Sequence, residues 1–270
     1  MPVYWFALSQ PSYIYWPHAA LIFVILHLLV YPSSNGYNSY MDKDEGSIGG
    51  IAQPLPVERQ LLYVTVFMDI IALGLCFLIN LKVVMGIAVY ITASRLYSYR
   101  GVRLKQYPVA GYLTVIICQG ALVYHIVSVA NNASLTISMI LFPAIISSLL
   151  IGGTYPLTQI YQHEQDKKDG VITLSYRLGV KGTFVFCAIV LFIALLLLTV
   201  YFVNTFQLKG LLLYGIAMLP VGIYFTRWFL RVVKTPGQAN FKNLMKMNYI
   251  ASVCNSIAFI GILLIRMLRI

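Results

Sequence analysis

The sequence predicts an all-α, polytopic membrane bundle built as one domain over residues 1–270. Three observations predict it. The chain is 60% apolar and 10% charged, with a mean hydropathy of +0.81, values that belong to multi-pass membrane proteins. Apolar runs of about 20 residues, the length needed to cross the hydrocarbon core, recur along the chain. These runs are unbroken and lack the alternation with period two that a membrane barrel would show, so helices rather than strands are expected.

The first element is short. Met1 to Leu8 is apolar, but eight helical residues reach only about 12 Å. Without a basic n-region it does not read as a secretory signal. It reads either as the second half of a spanning helix or as a short interfacial segment. The first reading makes nine spans, the first truncated and eight complete. The complete ones are expected near 17–36, 57–80, 83–99, 110–130, 134–160, 183–203, 209–232 and 246–267. The 57–80 span opens on Glu58, an acid placed for the positive end of the helix dipole. It carries Asp69 near its middle, a depth at which an ionisable group is a functional candidate. Asp69 either approaches a cavity or pairs with a polar neighbour such as His27 or His125. Cys76, Cys118, Cys187 and Cys254 lie singly in four different spans, without metal-ligand spacing, and read as buried structural thiols. The connections are short and leave no room for a separate soluble domain.

The net charge of +11 is topological and implies no nucleic-acid partner. When the spans are threaded, fifteen Lys and Arg fall on one side and only Lys82, Lys209, Arg266 and Arg269 on the other. The positive-inside bias makes the crowded side cytoplasmic. The expectation is a multi-pass protein of a cell inner membrane, surrounded by lipid, with its polar segments facing the cytoplasm.

Those polar segments are duplicated. Tyr31-Pro32, Asn35, Tyr37-Asn38, Asp42-Lys43 and Glu45-Gly46 recur 124 positions later as Tyr155-Pro156, Gln159, Tyr161-Gln162, Asp166-Lys167 and Asp169-Gly170. Six of the eight acidic residues lie in or beside these two stretches, 31–46 and 155–174, so scarce carboxylates have been gathered in two places. Asn35, Asn38, Asp42 and Glu45 step by three, four and three, as do Gln159, Gln162, Asp166 and Asp169, so each set forms a stripe on one helix face. Asp44 and Glu164 fall off the stripes. Gly46 and Gly170 are placed to end the helical register. Four spans separate the segments, which returns the chain to the same membrane face. The relation is a parallel repeat whose two stripes can face one cavity. Carboxylate and amide oxygens suit Mg²⁺, which binds through one or two carboxylates plus a substrate's phosphates. Arg100, Arg103 and Lys105 after the 83–99 span, with Lys43 and Lys167 inside the acidic segments, supply cations for phosphate oxygens. Lys168 and Asp44 read as a salt-bridged rim.

With these residues in place, the chain resembles the UbiA superfamily of intramembrane prenyltransferases along nearly its whole length. The family's first motif, N-x-x-x-D, matches Asn38 and Asp42, with Asn35 three positions earlier. Its second, D-x-x-x-D-x-x-x-G-x-x-T-L, matches Asp166, Gly170, Thr173 and Leu174. Its Y-S…R-L-K loop matches Tyr97, Ser98, Arg103, Leu104 and Lys105. The resemblance implies a UbiA-like bundle that binds a polyprenyl diphosphate through Mg²⁺. The metal would be held by Asn38, Asp42 and Glu45 opposite Gln162, Asp166 and Asp169, with Asp42 and Asp166 at the centre of the chemistry and Arg103, Lys105, Lys43 and Lys167 on the diphosphate. A lipophilic acceptor would then capture the prenyl group. The chain departs from the family where Gln162 replaces the leading Asp, with Glu164 or Asp169 nearby, and where Gly46 stands at the position of a later acid, with Asp44 and Glu45 beside it. A terpene cyclase of the same fold needs the same ionisation site and no acceptor. A transporter would place its site nearer the midplane.

Overall fold

The computed structural model describes residues 1–43 and 51–268. Among them the chain forms nine helical columns: α1 (Pro2–Leu8), α2 (Trp16–Asp42), α3 (Arg59–Cys76), α4 (Leu81–Ser98), α5 (Pro108–Asn131), α6 (Ile137–Lys168), α7 (Leu174–Asn204), α8 (Leu208–Lys234) and α9 (Phe241–Leu268). Seven of these, all but α1 and α4, are long and apolar enough to cross a membrane. The expected span at 83–99 forms the 18-residue helix α4 but is not among the seven. Lys82, Arg95 and a run of Tyr and Ser side chains lower its hydropathy, and of these Tyr90, Ser94, Tyr97 and Ser98 face the site. The outside of the bundle is apolar. Tyr63, Phe67 and Ile70 of α3, Phe77 and Leu78 just after it, and Phe192 and Leu196 of α7 are exposed, as lipid-facing side chains of a multi-pass membrane protein are.

Two apolar cores hold the bundle. The larger joins α1, the start of α2, α4, the second half of α5 and the far ends of α7 and α9 through Phe6, Ile22, Leu26, Ile87, Val127, Phe202 and Phe259. Phe6 stacks on Phe259 with ring centroids 4.7 Å apart. Helix α1 therefore packs inside the bundle. The smaller core lies beneath the second polar segment, where Leu157 and Ile160 meet Phe184, Trp228, Val232, Leu244 and Met247. Because lipid tails are as apolar as these side chains, the cores hold the helices by close van der Waals packing rather than by transfer out of water.

Besides the break at Gly179, φ 66°, within α7, three departures from regular α-helix shape the interior. The first is a π-turn at Ile25–Val30, immediately before Pro32, whose ring nitrogen has no proton to offer the carbonyl four residues back. The second is a π-turn at Ile117–Leu122 in α5. The third is in α6, which is α-helical to Gly152, turns to 3-10 helix over Tyr155–Gln162 and resumes as α-helix at His163–Lys168. The second stripe is thus divided, Gln159 and Gln162 on a 3-10 segment and Asp166 on the short α-helix after it, not carried on one α-helix as its spacing predicts. The first stripe's helix ends at Asp42, with Lys43 left-handed at φ 53°, and Gly46 lies outside the described residues. The second ends as expected: Gly170 has φ 71°, and Val171 N donates to Asp166 O at 2.8 Å, closing the turn.

Candidate active site

A cavity of about 540 Å³ opens between α2, α4, α5, α6 and α9. Its wall is built from side chains whose spacing suits each element. On α2, Ser34, Asn35, Asn38, Ser39 and Asp42 face it, one α-helical face. Tyr90, Ser94, Tyr97 and Ser98 do the same on α4. On α6 the 3-10 register turns Leu157 and Ile160 to the smaller core, while Gln159 and Gln162, three apart, face the cavity beside Tyr155 and Tyr161. Asp166 follows from the next helical turn. The π-turn of α5 presents Cys118 and Gln119.

The two segments, 124 residues apart in sequence, are cross-linked around this cavity. Ser98 Oγ donates to Asn38 Oδ1 at 2.7 Å, and Ser34 and Ser94 hydroxyls meet at 2.6 Å, tying α2 to α4. The Tyr97 and Tyr155 hydroxyls lie 2.5 Å apart, and Gln159 Nε2 donates to Tyr155 Oη at 3.0 Å, tying α4 to the second segment. The turn after α4 completes the frame. Arg103 sits there at φ 47° and leads into a 3-10 turn, Leu104–Gln106, seated on Gly111. A Cβ on Gly111 would stand 3.0 Å from Lys105 Cα, so a larger residue would push this turn outward by a few tenths of an ångström. Lys105 Nζ forms an ion pair with Asp42 Oδ1. Arg103 Nη2 lies 3.7 Å from the same oxygen and pairs with Asp169 Oδ2, while its Nη1 donates to Asp169 O at 3.0 Å. Arg100 Nη2 stands 3.8 Å from Asp169 Oδ1, and Arg100 Nε donates to Met41 O at 2.9 Å.

The expected site residues therefore separate into groups. Asn35, Asn38, Asp42, Gln159, Gln162, Asp166 and Lys105 line the cavity. Asp169 leaves the stripe as the cap of its short helix and faces Arg103 and Arg100 instead. Arg103 is enclosed between the two segments and is not part of the lining. Lys43, Lys167 and Glu164 are exposed and away from the lining. Glu45 and Asp44 lie outside the described residues. Asp69 pairs with Arg95, not with His27 or His125. Ser33 Oγ bridges the pair, donating to Asp69 Oδ1 at 2.6 Å and accepting from Arg95 Nη2 at 2.8 Å, and Arg95 lies over the Tyr37 ring at 4.1 Å. This cluster binds α2 to α3 and α4 on the side of α2 turned from the cavity. Sequence reasoning missed Arg95, Tyr155, Gln119 and Tyr90. Of these only Tyr155 carried a signal, as half of the repeated Tyr-Pro.

The two repeated segments present oxygen donors to the cavity: carboxylates of Asp42 and Asp166 and amides of Asn38, Gln159 and Gln162. Gln159 Oε1 is buried with no hydrogen-bond partner, an orphaned acceptor at the wall. No cluster of three or more His, Cys, Asp or Glu with metal-holding geometry occurs among the described residues, so an all-protein cage is not what this wall builds. Two carboxylates with neutral oxygens fit a hard divalent cation that keeps water or phosphate in its other positions.

A multi-pass helical bundle with a polar cavity walled by two repeated acidic segments and a cationic turn defines a class of membrane enzyme. The chain belongs to the UbiA prenyltransferase family, whose model matches residues 1–250. Comparison with curated protein sequences gave no match. Among solved structures, it is similar to a UbiA homologue from Archaeoglobus fulgidus bound to GPP and Mg²⁺, with 15% identity and a TM-score of 0.64 over 97% of this chain and 93% of that one. The same homologue bound to DMAPP and Mg²⁺ aligns with a TM-score of 0.62 at 15% identity over 97% and 93% of the two chains. A structure of digeranylgeranylglyceryl phosphate synthase aligns with a TM-score of 0.61 and 19% identity over 97% of this chain and 90% of its own. At these identities the likeness establishes the fold.

Proposed function

We propose that this protein transfers a prenyl group from a polyprenyl diphosphate to a lipophilic acceptor within the membrane, releasing pyrophosphate, with Mg²⁺ as cofactor and the site facing the cytoplasm. The observation that carries the reading is the meeting of Asp42 and Asp166, from the two repeated segments, at one cavity that also holds Lys105. Family membership and the Mg²⁺–diphosphate complexes of the A. fulgidus homologue support it.

Asn38, Asp42, Gln162 and Asp166 are the residues that would hold the metal, with Gln159 Oε1 as a further neutral oxygen. When bound, the cation supplies positive charge to the diphosphate oxygens. Lys105 supplies charge-assisted hydrogen bonds to the same group. The C1–O bond of the allylic diphosphate breaks with its electron pair leaving on pyrophosphate. The acceptor's nucleophilic atom then bonds to C1 and gives up a proton. Asn38 is held in place by Ser98, and Gln159 by Tyr155, so these amides do not need to reorganise as charge develops. Arg103 and Asp169 fix the spacing of the two segments, and that contribution is to position the site.

The test is to incubate the purified protein with farnesyl and geranylgeranyl diphosphate and Mg²⁺, with and without lipid extract. Pyrophosphate release with a prenylated lipid product is expected. A cyclic hydrocarbon formed without any acceptor would sink the transferase reading in favour of cyclisation, and no pyrophosphate from any substrate would sink both.

A further inference from the structure

Asp42 lines the cavity with a largely enclosed side chain. Its side chain is 6% exposed, against 34% for Asp169. The two cations against it are enclosed as well, Lys105 at 9% and Arg103 at 10%. Lys105 is not a loose surface amine: its backbone is pressed onto Gly111, and its Nζ reaches back to Asp42 Oδ1. That oxygen has two ionic partners yet accepts no aligned hydrogen bond, so the pairing rests on charge more than on directed bonding. Asp42 is paired with Lys105 and Arg103, and Asp169 with Arg103 and Arg100, so each of these two carboxylates already has cations against it.

We propose that Lys105 is an exchangeable counter-ion of Asp42, so that the form of ligand this site accepts is the metal–diphosphate complex and not the free divalent cation. The inference rests on reading the cavity as a metal–diphosphate site. A free divalent cation approaching Asp42 meets an ammonium and a guanidinium already on that carboxylate. Their repulsion is strong in a low-dielectric enclosure. Expelling Lys105 without a new partner would leave a buried ammonium unpaired. Small hard cations also shed their water reluctantly. A diphosphate removes all three obstacles at once. Its oxygens take the three N–H donors of Lys105, its charge balances the incoming cation, and its oxygens replace the lost waters. Asp42 is then released to the metal. Gln159 Oε1, 8% exposed as a residue and without a partner, is the neutral oxygen already facing the cavity.

The experiment is equilibrium dialysis of Mn²⁺ against the purified full chain, with and without inorganic pyrophosphate, at equal free Mn²⁺ in both arms. Wild type is expected to retain Mn²⁺ at least about tenfold more tightly with pyrophosphate than without it. Lys105→Met is expected to bind Mn²⁺ alone at least about tenfold more tightly than wild type, and Asp42→Asn added to it to remove the gain. A variant that merely damages the fold loses binding and cannot gain it. Lys105→Gln repeats the measurement if the Met variant has lost helix content. Equal Mn²⁺ affinity of wild type with and without pyrophosphate, or no gain in either Lys105 variant, overturns the inference and leaves the diphosphate-site reading standing. No Mn²⁺ bound by any of these proteins in either arm overturns both.

Discussion

At the residue scale the site depends on few groups, and each can be removed singly. Asp42→Asn places an amide against Lys105 and Arg103 and takes one carboxylate from the cavity; Asp166→Asn takes the other. Loss of one preorganised charge at a reacting centre costs about 10²–10³ in rate. Either change is expected to lower pyrophosphate release from geranylgeranyl diphosphate about 100-fold or more in a coupled assay. Tyr155→Phe acts differently. It deprives Tyr97 of its hydroxyl partner and leaves the Gln159 amide without an acceptor inside the wall. Burying unsatisfied donors costs about 1–3 kcal/mol, so a lower midpoint of thermal unfolding in detergent is expected together with a fall in activity. The sequence was uneven at this scale for physical reasons. Asn38 and Asp42 were legible because an α-helix converts a spacing of four into one face. Asp169 was misplaced because the spacing that put it on the stripe assumes an α-helix through 155–169, whereas the chain is 3-10 over the first half and Asp169 is a cap. The Tyr97–Tyr155 and Asp69–Arg95 pairs join residues on different helices, and no local pattern marks such a meeting.

At the scale of elements, close approach of helices sets where the wall stands. Gly120, in the π-turn of α5, lies so near α6 that a Cβ would fall 2.4 Å from Ser148 Cα and 2.6 Å from Ser148 N. Backbone atoms cannot swing aside as a side-chain tip does. Gly120→Ala must separate α5 from α6 and break the Ala121 N to Ser148 Oγ bond of 3.0 Å, with an expected loss of about 1–3 kcal/mol. A falling thermal midpoint checks it; an unchanged one would mean that the helices part freely. The buried cluster of Asp69, Arg95 and Ser33 makes the corresponding clamp for α2. Asp69→Asn leaves Arg95 charged with little to pair it, which costs about 3–5 kcal/mol in a buried setting. Replacing both, Asp69→Leu with Arg95→Leu, removes the unpaired charge and is expected to recover more than half of that loss. Recovery distinguishes a structural clamp from a site residue, because a site residue would not be rescued by deleting its partner. The helices themselves were largely legible: all eight predicted spans are helical in the structure. The distortions at 25–30 and 117–122 were not, since a π-turn leaves no compositional trace beyond the proline that follows the first one.

At the scale of the whole molecule the fold and the site are built from different materials. Phe6, Ile87, Val127 and Phe259 in one core, and Leu157, Phe184 and Trp228 in the other, carry the packing. The cavity between them is lined by hydroxyls, amides and ions beside apolar surface, and the hydrogen bonds that tie its walls are made between protein groups alone. Removing metal should therefore separate activity from stability. Chelation with EDTA is expected to abolish pyrophosphate release while helix content by circular dichroism stays constant. The ligand-free protein should also show the same thermal midpoint in Mg²⁺ as in EDTA, within about 2 °C, because Lys105 holds Asp42 when no diphosphate is present. Mg²⁺ with inorganic pyrophosphate should behave differently. A ligand at about 100 times its dissociation constant adds about 2.7 kcal/mol to the native state, and for a chain of this size that corresponds to a rise of about 5–10 °C. A rise with both and none with either alone would show that cation and diphosphate enter together. A full rise with Mg²⁺ alone would show that the carboxylates are open to the cation before the diphosphate arrives, and the pairing of Asp42 with Lys105 would then be too weak to govern entry.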